Sequence, residues 1–205
     1  DEGIMEQLNH LLFTWINATP ASPKGLLTIA FILANDMILI VPVTIAALWL
    51  WGDHQKMAVQ RALVSKIVIA LLFAMTCAKT CSELFPHPRP FMEAFGYTFL
   101  QHSADSSFPS DHGTAIFTFA LAFLFWHRLW SGALFLLLGL GIAWSRIYVG
   151  VHWPLDMLGA FLVALLGCLF SQLLWNLFGT PISQRLEKLY HACFAIPIRK
   201  GWVRG

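Results

Sequence analysis

Residues 155–178 have the sequence LDMLGAFLVALLGCLFSQLLWNLF, in which Asp156 is the single charged residue. A helix crosses the hydrocarbon core of a bilayer, about 30 Å thick, with about 20 apolar residues, so this stretch predicts a transmembrane helix. A carboxylate at the mouth of such a segment is costly unless it has a partner or a task. Asp156 is therefore the first candidate functional residue.

Four further apolar runs are long enough, or nearly so, to cross a membrane: 25–50, 62–85, 112–126 with its flanks, and 132–148. Residues 127–131 alone separate the last two, which predicts a tight helical hairpin. The chain is 58% hydrophobic and 12% charged, against roughly 25% charged residues in soluble domains. We therefore predict an all-α fold, a polytopic membrane helix bundle with five transmembrane helices; a sixth, re-entrant crossing is the alternative.

The two ends of the chain are predicted to lie on the membrane surface. Residues 5–18 place Leu8, Leu11, Leu12, Trp15 and Ile16 at helical spacing but are too short to span, which predicts an interfacial amphipathic helix. Residues 180–205 mix basic and aromatic side chains and predict a surface-lying tail. We expect one domain over residues 1–205, with Met5 as the natural start and residues 1–4 added ahead of it.

Basic residues predict the orientation in the membrane. One side of the five-helix arrangement receives Lys56, Arg61, Arg128, Arg185, Lys188, Arg199, Lys200 and Arg204, and the other receives Lys24, Arg89 and Arg146. The first side, with the C-terminus, is then cytoplasmic. Loop 86–111 and turn 146–154 share the outer face. A net charge of +2 without a basic face gives no indication of nucleic-acid binding.

His152 and Asp156 form the first chemical pair. Pro154 is suited to the first position of a helix, and a spacing of four residues lets the carboxylate accept a proton from one imidazole nitrogen. The other nitrogen then keeps its lone pair, and such an imidazole can attack phosphorus to form a phosphohistidine. A capped helix with a hydrogen-bonded structural histidine is the alternative.

The string Pro109-Ser110-Asp111-His112-Gly113 opens the third apolar run. Ser110 is a natural N-cap, and the unpaired amides of a helix N-terminus, that of Gly113 included, suit a phosphate oxygen. His112 would give a proton to the leaving oxygen. An ordinary capped helix start is the alternative.

Arg89 and Arg146 are candidate phosphate clamps, because a planar guanidinium meets two oxygens of a phosphoryl group at once. Snorkelling towards the lipid headgroups is the competing explanation for both. Asp156, Asp111, Glu93 and Asp105 show no recognisable ligand spacing, so we expect neither a metal nor another cofactor. Cys77, Cys81 and Cys168 lie in apolar runs and are predicted to be buried free thiols.

Taken together, Arg89-Pro90, Pro109-Ser110-Asp111-His112 and Ser145-Arg146-x5-His152-x3-Asp156 resemble the three-part signature of the type 2 phosphatidic acid phosphatase superfamily, in the same order and with similar gaps. Within it, the sequence around Phe85–Phe91 and Asp105–Gly113 and the tail Ile198–Arg204 resemble the bacterial undecaprenyl-diphosphatases. The resemblance implies His152 as nucleophile, Asp156 as its orienting carboxylate and His112 as general acid. It implies that Arg89, Ser110 and Arg146 hold the phosphate.

Two positions depart from the superfamily pattern. Ser82 stands where its first motif usually has a lysine, and Lys79 lies three residues earlier. Lys79 either reaches the phosphate or pairs with Glu83, four residues on. Asp111 stands where many relatives have glycine.

The resemblance implies hydrolysis of undecaprenyl pyrophosphate, a polyprenyl diphosphate lipid, at the periplasmic face of a bacterial inner membrane. This would recycle the cell-wall carrier lipid and lower sensitivity to bacitracin. One alternative keeps the chemistry with phosphatidylglycerophosphate, diacylglycerol pyrophosphate or lipid A as substrate. The apolar spans argue against a vanadate-dependent haloperoxidase. A lipid transporter is the non-enzymatic alternative, favoured by Asn35 and Asp36 in the middle of the first run.

Overall fold

The computed structural model describes residues 2–205, and this part of the chain is helical throughout apart from turns and loops. The prediction of an all-α membrane bundle is confirmed. The α-helices are α1 (Glu2–Ile16), α2 (Lys24–Phe31), α3 (Ile40–Trp51), α4 (Met57–Leu84), α5 (Asp111–Trp126), α6 (Leu129–Tyr148), α7 (Pro154–Cys193) and α8 (Ala195–Arg199).

Within residues 2–205, four segments are long and apolar enough to cross a membrane: Lys24–Trp51, α4, α6 and α7. The first is α2 continued into α3 through a π-helical turn, Ile32–Asp36, and a 3-10 turn, Met37–Leu39. The predicted third span is α5, which has 16 residues and is shorter than the others. The chain is thus a multi-pass membrane protein.

Helix α5 lies in the centre of the bundle, packed against α4, α6 and α7. Its residues 116–123 are all buried, and the Phe119 ring meets Phe135 of α6 with centroids 4.8 Å apart. Small residues let the surrounding helices approach closely, as at Gly167 of α7, where a Cβ would lie 2.7 Å from the Ala70 carbonyl oxygen of α4. Packing against these longer neighbours therefore holds α5, and with it the N-terminus of α5, at a fixed position.

Helix α7 continues well past the predicted span end at residue 178. Its 40 residues make a helix about 60 Å long, so residues 180–193, which we expected in a surface-lying tail, form its last turns. The chain then turns back to the bundle: the Arg204 amide donates to the Leu50 carbonyl at 2.9 Å, and Trp51 Nε1 donates to the Trp202 carbonyl at 2.8 Å. Tertiary hydrogen bonds, absent from any sequence pattern, fix this end.

Helix α1 lies at the opposite end of the bundle and contacts α6 and α7. Asn9 and Phe13 are buried on its inner side, whereas Leu8, Leu11 and Trp15 are exposed, Trp15 at 73%. This division is the one that an interfacial amphipathic helix requires.

Candidate active site

The three sequence strings meet at one end of the bundle, next to α1. Arg89 lies in the loop after α4, Ser110 and His112 at the start of α5, Arg146 in the last turn of α6, and His152 just before α7. The amide of Ser110 donates to the carbonyl of Asp156 at 3.3 Å, which ties the starts of α5 and α7 together. The end of the bundle where α4 and α6 finish is therefore the candidate site.

His152 and Asp156 are in contact, as their spacing and the helix start at Pro154 predict. Nδ1 of His152 lies 3.0 Å from Oδ2 of Asp156, and the two residues are 2% and 1% exposed. The same oxygen accepts hydrogen bonds from the Trp153 amide, at 2.7 Å, and from the Ser107 hydroxyl. These donors fix the carboxylate, which in turn fixes the imidazole with Nδ1–H donating and Nε2 carrying the lone pair.

Burial sets the protonation of His152. Desolvation lowers its pKa from 6.5 to about 4, the charges of Arg146 and Arg89 act in the same direction, and the Asp156 carboxylate opposes them. The imidazole is therefore neutral at neutral pH, and only the neutral form has a nitrogen lone pair that can attack phosphorus.

The turn between Arg146 and His152 depends on Gly150. Its φ is +85°, a region that L-residues with a Cβ rarely adopt, and a Cβ there would collide with the Tyr97 carbonyl oxygen. The amide of Phe99 donates to the Val149 carbonyl at 2.9 Å. The long loop before α5 thus packs directly on the turn and brings His152 back over the end of α6.

Arg89 is buried and fully engaged. Its Nη1 donates to the Val151 carbonyl at 2.9 Å and lies 3.0 Å from Nε2 of His152. Its Nε donates to Oδ1 of Asp105 at 2.8 Å, and its Nη2 donates to the Ser106 carbonyl at 3.3 Å. Arg89 therefore faces Nε2 of His152, the ring nitrogen that Asp156 does not hold.

Arg146 is equally buried but has few partners. Its Nη1 donates to the Ala34 carbonyl at 3.2 Å, whereas Nε and Nη2 find no hydrogen-bond partner within residues 2–205. A buried cation with free donors is costly, and an anion bound beside it removes that cost. Ala34 belongs to the π-helical turn Ile32–Asp36, so the segment that contains Asn35 and Asp36 contributes a backbone carbonyl to the site while both side chains are exposed.

The start of α5 is capped as predicted. The buried Ser110 hydroxyl accepts from the Gly113 amide at 3.2 Å, so this amide serves the cap in the structure. His112 is half-buried and lies within electrostatic range of Arg146, His152 and Arg89. The structure thus brings His112 to the same cluster as the predicted nucleophile.

Lys79 lies apart from this cluster. Its side chain is 73% exposed and its Nζ lies 3.4 Å from Oε1 of Glu83, the alternative that the i, i+4 spacing allowed. Lys79 and Ser82 line a cavity of about 370 Å³ that Arg89, Asp105 and Asp111 also border. The structure places Lys79 at the rim of the cavity, with its Nζ on Glu83.

Three site residues had no assigned role in the sequence analysis: Ser107, His102 and Asp105. Ser107 is adjacent to the second motif, a signal that would have found it, whereas nothing in the sequence marks His102, whose ring centroid is 6.1 Å from that of His152. Burial lowers the pKa of His102, and so does the charge of Arg89. Burial alone would raise the pKa of Asp105, but hydrogen bonds from Ser103 and Arg89 outweigh it and keep the carboxylate charged.

The donor set of this site suits a phosphoryl group. Two buried guanidiniums supply positive charge, and a neutral imidazole held by a carboxylate is a candidate nucleophile. Among residues 2–205, no cluster of three or more His, Cys, Asp or Glu side chains is arranged to hold a metal ion. Fold and site together are those of a membrane-embedded phosphatase.

The chain belongs to the PAP2 superfamily, whose sequence profile matches residues 61–180. It is similar over 98% of its length to YbjG of Escherichia coli (strain K12), named provisionally as an undecaprenyl-diphosphatase, with 55% identity over 201 residues and the whole of that protein covered. It is 31% identical over 166 residues to undecaprenyl-diphosphatase BcrC of Bacillus subtilis, covering 80% of this chain and 82% of that protein. The resemblance inferred from the three motifs is confirmed, and so is the expectation of an enzyme.

A solved structure shares the fold. The crystal structure of Aquifex aeolicus LpxE matches with a TM-score of 0.64 and 25% identity, covering 80% of this chain and 94% of that chain. The bundle therefore has the overall fold of a solved protein structure.

Proposed function

We propose that the protein hydrolyses undecaprenyl diphosphate to undecaprenyl phosphate and inorganic phosphate at the periplasmic membrane face. The observation that carries the chemistry is the buried, neutral His152 with Nδ1 on Asp156 and Nε2 towards Arg89. The substrate comes from the relatives, since two proteins named for this activity match most of the chain.

In the proposed first step, Nε2 of His152 attacks the terminal phosphorus. The N–P bond forms as the bond from phosphorus to the bridging oxygen breaks, and His112 donates a proton to that oxygen as undecaprenyl phosphate leaves. Asp156 stabilises the positive charge that develops on the imidazole. Arg89 and Arg146 bind the equatorial oxygens, whose negative charge they offset.

In the second step, water attacks the phosphohistidine. His112, now neutral, takes the proton of the water, the N–P bond breaks, and phosphate leaves with His152 neutral again. Nε and Nη2 of Arg146, which have no partner among the described residues, bind the oxygens of the phosphoryl group in both steps.

Charge distribution supports the periplasmic orientation. Lys56, Arg61 and Arg128 lie where α4 and α6 begin, at the end of the bundle opposite the site, and basic residues favour the cytoplasmic side. A membrane-impermeant maleimide tests this in intact spheroplasts, on a Cys193→Ser background. Gln101→Cys, beside the site, should be labelled, and Arg128→Cys should not; the reverse pattern refutes the orientation.

Phosphate release tests the reaction. The purified protein, with undecaprenyl diphosphate in EDTA-containing buffer, should release phosphate, and His152→Ala should not. Base-quenched reactions with substrate labelled in the terminal phosphate should trap labelled protein in the parent alone. Rates on phosphatidylglycerophosphate, diacylglycerol pyrophosphate and lipid A compare the other lipid substrates. A faster reaction with one of these refutes the proposed substrate, and an active His152→Ala variant refutes the mechanism.

A further inference from the structure

The inner face of α1 lies against the turn that carries His152 and Asp156. Asn9 of α1 is 1% exposed, and its Oδ1 accepts a hydrogen bond from the Leu155 amide at 3.1 Å. Leu155 is the second residue of α7 and directly precedes Asp156. Helix α1 lies outside residues 61–180, the part of the chain that matches the superfamily, and none of the three motifs includes Asn9.

Asp156 caps the Trp153 amide at the start of α7, but the side chain at the N-cap supplies no acceptor for the Leu155 amide. The first amides of a helix have no acceptor within the helix, and Ser, Thr, Asp or Asn at the N-cap usually supplies one. The residue at the N-cap of α7 is Trp153, whose indole donates but does not accept hydrogen bonds. Asn9, 146 residues away in sequence, supplies the acceptor instead.

The same face of α1 also packs on Trp153. The Trp153 ring lies 5.0 Å from the Phe13 ring and 4.8 Å from the His10 ring, centroid to centroid. Its Nε1 donates to the Pro88 carbonyl at 2.9 Å, next to Arg89. Helix α1 therefore holds the turn in two ways: through the hydrogen bond to Asn9 and through packing on the ring of Trp153, which lies between His152 and Asp156 in the sequence.

We propose that Asn9 is a positioning residue for the phosphatase reaction, which fixes the first turn of α7 so that Asp156 orients His152. The proposal rests on the roles proposed above for those two residues. Without an oxygen at position 9, the part-buried Leu155 amide loses its acceptor, and the turn moves to find another. A shift of about 1 Å in a catalytic group costs about 10²-fold in rate.

The test compares three variants of the full-length protein acting on undecaprenyl diphosphate. Asn9→Leu removes the acceptor at similar size and should lower kcat by about tenfold to a hundredfold, with KM within about twofold of the parent value. Asn9→Asp keeps an acceptor, and its charge suits a helix N-terminus, so its kcat should stay close to the parent value. Gln7→Leu also replaces a side-chain amide by leucine, but on the exposed face of α1, and should leave kcat unchanged.

An unchanged kcat in Asn9→Leu overturns the proposal, and so does an Asn9→Asp variant that loses as much activity as Asn9→Leu. Should the leucine variant fail to fold, Asn9→Ala carries the same expectations without crowding the site. A general loss of stability would lower the amount of active enzyme with its pH profile unchanged. Loss of Asp156 alignment instead shifts the acid limb of kcat, which reports on His152.

Hydrogen exchange separates this inference from the proposed function. Without substrate, a peptide that covers residues 150–158 should exchange faster in Asn9→Leu than in the parent, and at the parent rate in Asn9→Asp. Unchanged exchange in Asn9→Leu overturns the role of Asn9 whatever the activity assay gives. Faster exchange together with an inactive parent supports the contact and counts against the proposed function alone.

Discussion

Asp156→Asn is the substitution that most directly tests the proposed mechanism. Oδ2 of Asp156 accepts from His152 Nδ1 at 3.0 Å, from the Trp153 amide at 2.7 Å and from the Ser107 hydroxyl. In one orientation, an asparagine places its oxygen at the Oδ2 position, accepts from the Trp153 amide and keeps the helix start in place; in the other, its NH2 group takes that position. It carries no charge to stabilise a protonated imidazole, and an amide turned towards Nδ1 would put the proton on Nε2, the attacking nitrogen.

The magnitude follows from these two losses. A hydrogen bond to a charged group contributes about 1.5–3 kcal/mol, and the wrong tautomer adds a cost of similar size. Together they raise the barrier by about 4 kcal/mol, which corresponds to a kcat about 10³-fold lower. KM should change little, because Asp156 does not face the phosphate.

Single-turnover phosphate release from undecaprenyl diphosphate measures the effect, with Asp111→Asn as the matched control. Asp111 is also an aspartate in the first turn of a helix at this site, but it is exposed, and its variant should keep kcat within a few-fold of the parent value. A kcat for Asp156→Asn within tenfold of the parent value would refute the role given to the carboxylate. An equal loss in both variants would refute it as well.

Three further outcomes are expected. Burial lowers the pKa of His152 to about 4, so its imidazole stays neutral between pH 7 and pH 5, where an ordinary imidazole becomes protonated. The rate of phosphoenzyme formation, measured by quenched flow, should therefore not fall over this range. Arg146→Lys keeps the charge but loses the two-pronged contact, and we expect kcat/KM to fall about 10²-fold in steady-state assays. Lys79→Ala removes an exposed side chain, and its kcat/KM should stay within a few-fold of the parent value. Gly150→Ala should lower both the melting temperature and the activity, because of the φ of +85° and the collision with Tyr97. Gly201 has a φ of +71° but open space around it, so Gly201→Ala should lower the melting temperature less and keep the parent kcat.

Hydropathy and local spacing predicted the parts of the structure that depend on near neighbours in the chain. Apolar runs placed the long helices, and the helix start at Pro154 with a spacing of four residues predicted the contact of His152 with Asp156. The alternation of the apolar runs across the membrane placed the three motifs at one end of the bundle. The serine cap of α5 followed from its position before the apolar run.

The features that sequence reasoning missed depend on distant parts of the chain. A π-helical turn arises from packing of the backbone and has no residue signature, so the Ala34 carbonyl that meets Arg146 could not be predicted. His102 lies in a long loop whose path is set by contacts with other segments. Asn9 was one polar residue within an amphipathic pattern, and its acceptor role became visible once α1 and α7 were seen side by side.

The two arginines of the site differ in how their donors are used, and this difference bears on how phosphate binds. Arg89 already meets Asp105, Ser106, Val151 and His152, so it holds His152 and the loop together before substrate arrives. Arg146 meets Ala34 and keeps two further donors without a partner in the described chain. An arriving phosphoryl group must compete with Asp105 for Arg89, whereas it has no such competitor at Arg146. Because a buried guanidinium gains most from an anion when its donors are free, Arg146 should supply more of the binding energy and Arg89 more of the alignment.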